Sequence, residues 1–469
     1  MSRFFILFCL IPFLHGCSNL AHAPRTPNIL FILVDDLGKE WVSCYGADSI
    51  ATPTIDRLAS TGILFHNAWV MPQCTPTRVS FLTGQYPFHT GWINHWDVPR
   101  WGAQYHFDPK YYKTIARALQ EQGYKTCIAG KWQVNDFRVQ PRILKDHGFD
   151  EYCMWTGYET SNPPSAERYW DPYIHTLQGS KTYPGQFGED IFTDFILDFM
   201  ERHRQEPMFI YYPMVLTHTP LVATPNHREA ETAREKHKAM VRYMDHSVGR
   251  LIKGLERLGL REQTVVVWTT DNGTSGSIEG HLKGEPVMGG KVKLSQNGVA
   301  MPFIVNAPAY RQEGLKTGEL VDITDLFPTF LELAGGSIEA WNGDGRSFCN
   351  LVQGKTNKTN RDWVLSMGGR PALLQDGKVV PRTKFAPRAI GNKTHKLVVN
   401  EDREVIALFN IQSDPSEKIN LLGREKPVDR EEKERLLQVL VGMPLEDALP
   451  RYDPTPKQSW DLTPENGSK

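Results

Sequence analysis

Cysteine is scarce in this chain: there are seven in 469 residues, and no two form a C-x-x-C pair. That argues against a zinc ribbon and against a disulfide-built scaffold. From the sequence, one or two disulfides among Cys44, Cys74, Cys127, Cys153 and Cys349 stay open. An excess of one charge is lacking too. The 53 Lys and Arg nearly balance the 54 Asp and Glu, for a net charge of −1. General nucleic-acid binding needs a basic surface, so that class is set aside. A local basic pocket for a small anion is not. Internal repeats are missing, and past the N-terminus no apolar run is long enough to cross a bilayer. What is present is 40% hydrophobic residues, enough for a buried core, in a length that suits one large domain or two.

Residues 1–23 read as an export signal. Arg3 precedes an apolar run, Phe4 to Leu14, that is too short to span a membrane. Two endings compete. Ala21–Ala23 is an A-x-A cleavage site, whereas "LHGC" at Leu14–Cys17 resembles a lipobox and would make Cys17 a lipid anchor. Either ending implies export: periplasmic, secreted or lipid-anchored to the outer membrane.

Apolar strands then alternate with amphipathic helices. Pro27–Gly38 reads as a buried strand closing on two aspartates. Tyr111–Trp132 reads as a helix, a stop at Gly123 and a strand ending at Lys131. Pro207–His218, Gln263–Gly273 and Ala300–Pro308 read as further strands, with helices between and after them. The alternation predicts an α/β fold with helices on both faces of a sheet. Ligands of such sheets bind beyond the carboxyl ends of the strands. Asp35, Asp36, Lys131, His218, Asp271 and Asn272 all fall at such ends. Composition turns polar at "QGKTNKTNRDW", and "HKLVVN" and "VIALFNI" beyond it read as short antiparallel strands. The expected organisation is a signal over 1–23, a catalytic domain over 27–355, a C-terminal subdomain over 356–450 and a tail over 451–469.

Asp35, Asp36, Asp271 and Asn272 form an oxygen-only donor set that suits Ca²⁺ or Mg²⁺ and not a soft metal. Three carboxylates gathered without a cation would repel one another and resist burial. Each pair taken alone is a cap or a turn; both ending strong strands shifts the balance. Arg78, Lys131, His218 and Lys291 are ordinary polar residues singly, and together a clamp for a tetrahedral anion. Cys74 stands in "CTPTRVSFLTG", two residues before Pro76 and four before Arg78. A plain thiolate nucleophile fits badly there. The spacing to Arg78 is short for an anion-wrapping loop, Pro76 removes one N–H donor, and sulfur is a poor match for a hard cation.

C-x-P-x-R followed by "LTG" and "YP" resembles the signature of the formylglycine-dependent sulfatases of the alkaline-phosphatase-like superfamily. "NILFILVDDLG", "AGKW", "THTPL", "TTDNG" and "LFNIQSDPSEKINL" resemble further segments of that family, from about Pro27 to about Leu422. The resemblance implies an alkaline-phosphatase-like large mixed sheet flanked by helices, with a smaller C-terminal α+β subdomain on a short antiparallel sheet. It implies a sulfuric ester hydrolase. In that family the cysteine is oxidised to Cα-formylglycine, whose hydrate attacks sulfur. A formylglycine-generating or maturase enzyme acting on Cys74 is therefore an implied partner. By the same resemblance Asp35, Asp36, Asp271, Asn272 and the modified Cys74 would bind Ca²⁺, favoured over Mg²⁺. Arg78 would hold the formylglycine, and Lys131, His218 and Lys291 would bind the sulfate.

Three positions depart from the family pattern. Gln133 stands where Gly-Lys-Trp is followed by His, Gln296 replaces a Glu and Ala300 an Arg. An amide hydrogen-bonds but takes no proton near neutral pH, so release of sulfate is the step that Gln133 puts in question, while Gln133 remains placed to bind substrate. The other two changes are expected to alter loop packing or substrate contacts before the metal. The substrate is a sulfated small molecule or glycan. The export signal favours carbohydrate, and the Trp- and Tyr-rich stretches Asn94–Phe107 and Gly157–Tyr173 suit sugar rings or serve as packed cover. Two other readings compete: a phosphate or phosphonate ester hydrolase of the same superfamily, and a non-catalytic carbohydrate-binding relative.

Overall fold

"NILFILV" is apolar at every position because both of its faces are covered. In the computed structural model, which describes residues 26–96, 105–156, 168–310, 314–369, 372–375, 378–456 and 458, this run is the fully buried strand β1 (Asn28–Val34). The export signal and Cys17 lie outside the described residues, as do 97–104 and 157–167 of the two aromatic-rich stretches.

The main sheet contains β1, β2 (Ile63–Trp69), β3 (Lys125–Lys131), β4 (Glu151–Trp155), β5 (Tyr173–Thr176), β6 (Gly179–Thr182), β7 (Met208–Pro213) and β8 (Thr264–Thr270). A separate hairpin, β9 (Glu279–Leu282) and β10 (Glu285–Met288), precedes its last strands, β11 (Ala300–Asn306) and β12 (Leu315–Asp322). The order is β12-β2-β11-β8-β1-β7-β3-β4-β5-β6. The central neighbours β8, β1, β7, β3 and β4 run parallel, so their carboxyl ends share one edge. β11 and β5 flank them antiparallel, which makes the sheet mixed.

Side chains of β1 alternate between two cores. Ile29, Phe31 and Leu33 join one, Leu30, Ile32 and Val34 the other. The first face is covered by helices Cys74–Thr83, Ile115–Gln120 and Leu326–Leu333, the second by Pro53–Ser60, Gly188–Arg202 and Ala233–Arg257. The last of these starts in a capping box between Thr232 and Glu235, and the chain turns away at Gly259 (φ +70°). A four-stranded antiparallel sheet, Val364–Met367, Arg388–Gly391, His395–Val399 and Val405–Asn410, follows with helix Pro427–Val441. It is the small C-terminal sheet that the sequence suggests. Its Leu397, Val399 and Leu408 share a core with Phe31.

The structure differs from the sequence reading in places. β7 stops at Pro213, not at His218. Beyond it the chain still bonds to the end of β1, from Met214 N–H to the Leu33 carbonyl (2.9 Å) and from Asp35 N–H to the Leu216 carbonyl (2.8 Å), but in a tight turn. β2 was not apparent in the sequence because "ILFHNAW" carries an exposed His66 and a half-buried Asn67 within its apolar run. No disulfide occurs among the described residues; Cys44, Cys74, Cys127, Cys153 and Cys349 are free. No described helix is long and apolar enough to cross a membrane.

Candidate active site

Parallel register brings the two acidic pairs together. Val34 of β1 is the partner of Thr270 of β8, so Asp35–Asp36 and Asp271–Asn272 leave the sheet side by side. The Asp271 N–H donates to the Val34 carbonyl at 2.9 Å and the Asp36 N–H to Asp271 Oδ1 at 3.1 Å. Asp36 takes a positive φ of 59°, which turns its carboxylate back over the sheet edge. Asn272 Nδ2 donates to Asp36 Oδ1 at 2.7 Å. Gly273 follows because a Cβ there would lie 2.0 Å from the Asn297 carbonyl oxygen.

Cys74 opens a helix whose ten residues are all buried. Pro76 sits in its first turn, where a missing N–H costs nothing. The Thr77 hydroxyl donates to the Asp271 carbonyl at 2.7 Å and accepts the Met71 N–H at 3.1 Å, tying this helix to the end of β8. Arg78 contacts Asp271 Oδ2 through Nε (3.2 Å) and Nη2 (2.7 Å), and Nη1 reaches the Lys131 carbonyl at 3.3 Å. One donor atom each from Asp35, Cys74 and Asp271 lies within 4.8 Å of the others, and the same holds for Asp35, Asp36 and His218.

The cations close around these carboxylates. Lys131 Nζ lies 2.6 Å from Asp35 Oδ2, and Lys291 Nζ lies 2.6 Å from Asp36 Oδ2. His218 donates from Nδ1 to the Thr219 carbonyl at 2.6 Å, which leaves Nε2 facing Asp36 Oδ2 at 3.7 Å. Every residue singled out from the sequence therefore stands at one edge of the sheet. Gln133 is among them: the Cys74 thiol donates to its Oε1 at 3.5 Å, and its side-chain nitrogen touches His95 Nε2. Gln296 lies in a short helix and Ala300 at the start of β11, which runs antiparallel to β8 and so begins at this same edge.

Electrostatics favour a cation here. Burial, reinforced by the charge of Asp35, pushes the Asp271 carboxyl up to about 7 despite Arg78. Burial alone would raise Asp35 as well, but the charges of Lys131, Arg78 and Lys291 hold it well below the usual carboxylate range. Burial pushes His218 down to about 3, so its imidazole is neutral. Asp35 Oδ1 and Asn272 Oδ1 are buried oxygens with no hydrogen-bond partner. Two orphaned hard donors beside Asp36 and Asp271 fit a divalent ion with oxygen ligands.

Other residues complete the site without a sequence signal. Glu189 Oε1 accepts the Val215 and Leu216 N–H groups at 2.9 Å, and the Tyr169 hydroxyl donates to the Val215 (2.7 Å) and His218 (2.5 Å) carbonyls. Both shape the turn that presents His218. Lys291 is set by a close-packed Gly289–Gly290 pair, where a Cβ would meet the Ser275 oxygen at 2.0 Å or the Asn297 carbonyl carbon at 2.4 Å.

A mixed sheet with acidic pairs and a cationic clamp at its parallel edge defines an alkaline-phosphatase-like hydrolase. Solved structures share the architecture. Ps i-CgsB superposes with a TM-score of 0.72 at 25% identity over 91% of this chain and 94% of its own. BT4656, solved with D-glucosamine-2-N,6-O-disulfate, gives 0.70 at 20% identity, over 88% and 97%, a likeness of fold. The sulfatase family model matches residues 27–337, and the model of the N-sulphoglucosamine sulphohydrolase C-terminal region matches 290–441. Arylsulfatase J of Mus musculus is 27% identical over 88% of this chain and 75% of that protein. N-acetylgalactosamine-6-sulfatase of Rattus norvegicus is 32% identical over 70% of this chain and 66% of that protein. The chain belongs to the sulfatase family and is a sulfuric ester hydrolase.

Proposed function

We propose that this chain removes sulfate from sulfated carbohydrates, with Cys74 as the site of the nucleophile after oxidation to Cα-formylglycine by a formylglycine-generating or maturase enzyme. The observation that carries the reading is the meeting of Cys74, Asp35 and Asp271 within 4.8 Å under Arg78. Sugar as the substrate class is supported by relatives named for N-acetylgalactosamine 6-sulfate and by the disulfated glucosamine held by BT4656. Asp35, Asp36, Asp271 and Asn272 would hold the divalent ion, which we take to be Ca²⁺. When present, the ion and the formylglycine hydrate supply charge neutralisation and an oxygen nucleophile.

The chain's own groups do the rest. Arg78 fixes Asp271 and the start of the Cys74 helix. Lys131 and Lys291 neutralise the sulfate oxygens from two sides. Neutral His218, its Nδ1 tied to a carbonyl, directs Nε2 to the sulfate group. Gln133 hydrogen-bonds the nucleophile position and orients it without taking a proton. Export, with Cys17 as an alternative lipid anchor, belongs to the same proposal.

Mass spectrometry of the tryptic peptide containing Cys74, from protein made in a host with the modifying enzyme, tests the reading. We expect the mass of formylglycine together with release of sulfate from a sulfated sugar. An intact thiol in a protein that still turns over would sink the nucleophile assignment. Faster cleavage of 4-nitrophenyl phosphate than of the sulfate would favour a phosphate ester hydrolase.

A further inference from the structure

Four arginines are buried among the described residues: Arg78, Arg168, Arg361 and Arg388. Three carry an aspartate. Arg78 holds Asp271 at 2.7 Å, Arg388 holds Asp447 at 2.7 Å, and Arg361 pairs with Asp325. Arg168 pairs with no acid among the described residues. It is 5% exposed, and its buried Nη1 has no hydrogen-bond partner. Its guanidinium lies instead 3.9 Å over the ring of Trp155. A stacked ring offsets part of the cost of burying a cation but leaves the guanidinium's donors unused.

The position is informative. Trp155 is the last residue of β4 and the register partner of Lys131, so its ring stands one strand from the sulfate clamp. The neighbour of Arg168, Tyr169, bonds the carbonyl of His218. Next along the chain, Trp170 carries Arg228 at 3.7 Å over its ring, on the exposed side. The buried Arg168 thus stands on the tryptophan beside the strand end that presents Lys131, and it has a planar fork of donors that matches an oxyanion.

We propose that Arg168, backed by Trp155, is a subsite for a second anionic group on the substrate. The target is then a sulfated sugar that also bears a carboxylate or another sulfate. The inference rests on the sulfated-carbohydrate reading above and deepens it.

The test compares the full-length protein with its Arg168→Gln and Arg168→Lys variants. Glucosamine 2-N,6-O-disulfate presents a second sulfate. N-acetylgalactosamine 6-sulfate linked to glucuronate presents a carboxylate. N-acetylglucosamine 6-sulfate and free N-acetylgalactosamine 6-sulfate are the singly charged controls. Wild type is expected to prefer at least one doubly anionic member over its control, and which one identifies the second group. In Arg168→Gln that preference, as a ratio of kcat/KM values, should fall about 10- to 100-fold, the scale of hydrogen bonds to a charged group. Arg168→Lys should recover only part of it, because lysine lacks the fork. Calorimetric affinities of the same sugars for protein made without the modifying enzyme, with Cys74 intact, give the same ratio without turnover, so failure of the hydrolytic reading stays separate from failure of the subsite. No preference in wild type, or one that survives Arg168→Gln, overturns the proposal.

Discussion

Asp271 is bound from three directions: Arg78 and the Asp36 amide reach its carboxylate, and the Thr77 hydroxyl reaches its carbonyl. Asp271→Ala should therefore lose the divalent ion, seen by elemental analysis, and lower turnover at least about 10²-fold. Full metal content with an undiminished rate would discard the ligand assignment. Lys131→Ala differs. It should keep the metal and lose about 10²- to 10³-fold in rate, as removal of an oxyanion donor does; an unchanged rate would take Lys131 out of the site. At this scale the sequence is readable where a polar residue ends an apolar run, as with Asp35, Lys131 and Asp271. It is silent on partners. Thr77 and Asp271 are 194 positions apart, and no local pattern says that a hydroxyl on one helix closes on the carbonyl of the other. Arg168 was equally hidden, since an arginine among tyrosines and tryptophans looks like ordinary surface until its burial is known.

The helix Cys74–Thr83 shows what an element adds. It buries its hydroxyl residues along with its apolar ones and ends at Gly84, whose φ of +66° suits glycine. Thr77 gives it a fixed rotation by bonding Met71, Gln73 and Asp271 at once. Thr77→Val keeps the shape but leaves the Met71 amide without its acceptor. The expected loss is about 1–3 kcal/mol, read from denaturant midpoints, with most of it recovered in Thr77→Ser. Equal stability of the Val and Thr forms would show that the hydroxyl plays no such part. Strand order was the other limit. Alternating strands and helices point to a parallel sheet, but the antiparallel insertion of β11 between β2 and β8 depends on long-range pairing that periodicity does not encode.

Across the whole molecule, the C-terminal sheet reaches into the site's support. Lys396, fully buried on that sheet, pairs with Glu417 and bonds the Leu294 carbonyl, while Glu417 Oε2 accepts the Gln296 N–H at 2.9 Å. The loop thus gripped is the one that carries Lys291. Lys396→Met would leave Glu417 buried without its cation. A loss of about 3–5 kcal/mol is expected from breaking one side of such a pair. KM for a sulfated sugar should rise in the same variant. A normal melting temperature with a normal KM would show that the two halves are not coupled in this way. The two C-terminal strands "HKLVVN" and "VIALFNI" were legible as short apolar runs on either side of a turn. Their grip on a loop about a hundred residues earlier was not, because a lone lysine in a strand gives no hint of what lies above it.

The thiol of Cys74 is closed in by the fold, with 3% of the residue reaching solvent. The residues around it, which the proposed oxidising enzyme would have to reach, are wound in the folded molecule into a covered helix. The conversion thus has a deadline. Under the proposed oxidation of Cys74, conversion is expected on the nascent or unfolded polypeptide, and a molecule that folds first is expected to stay inert. Mixing folded, unconverted protein with the converting enzyme should leave it unchanged, whereas a synthetic peptide spanning 70–84 should be converted.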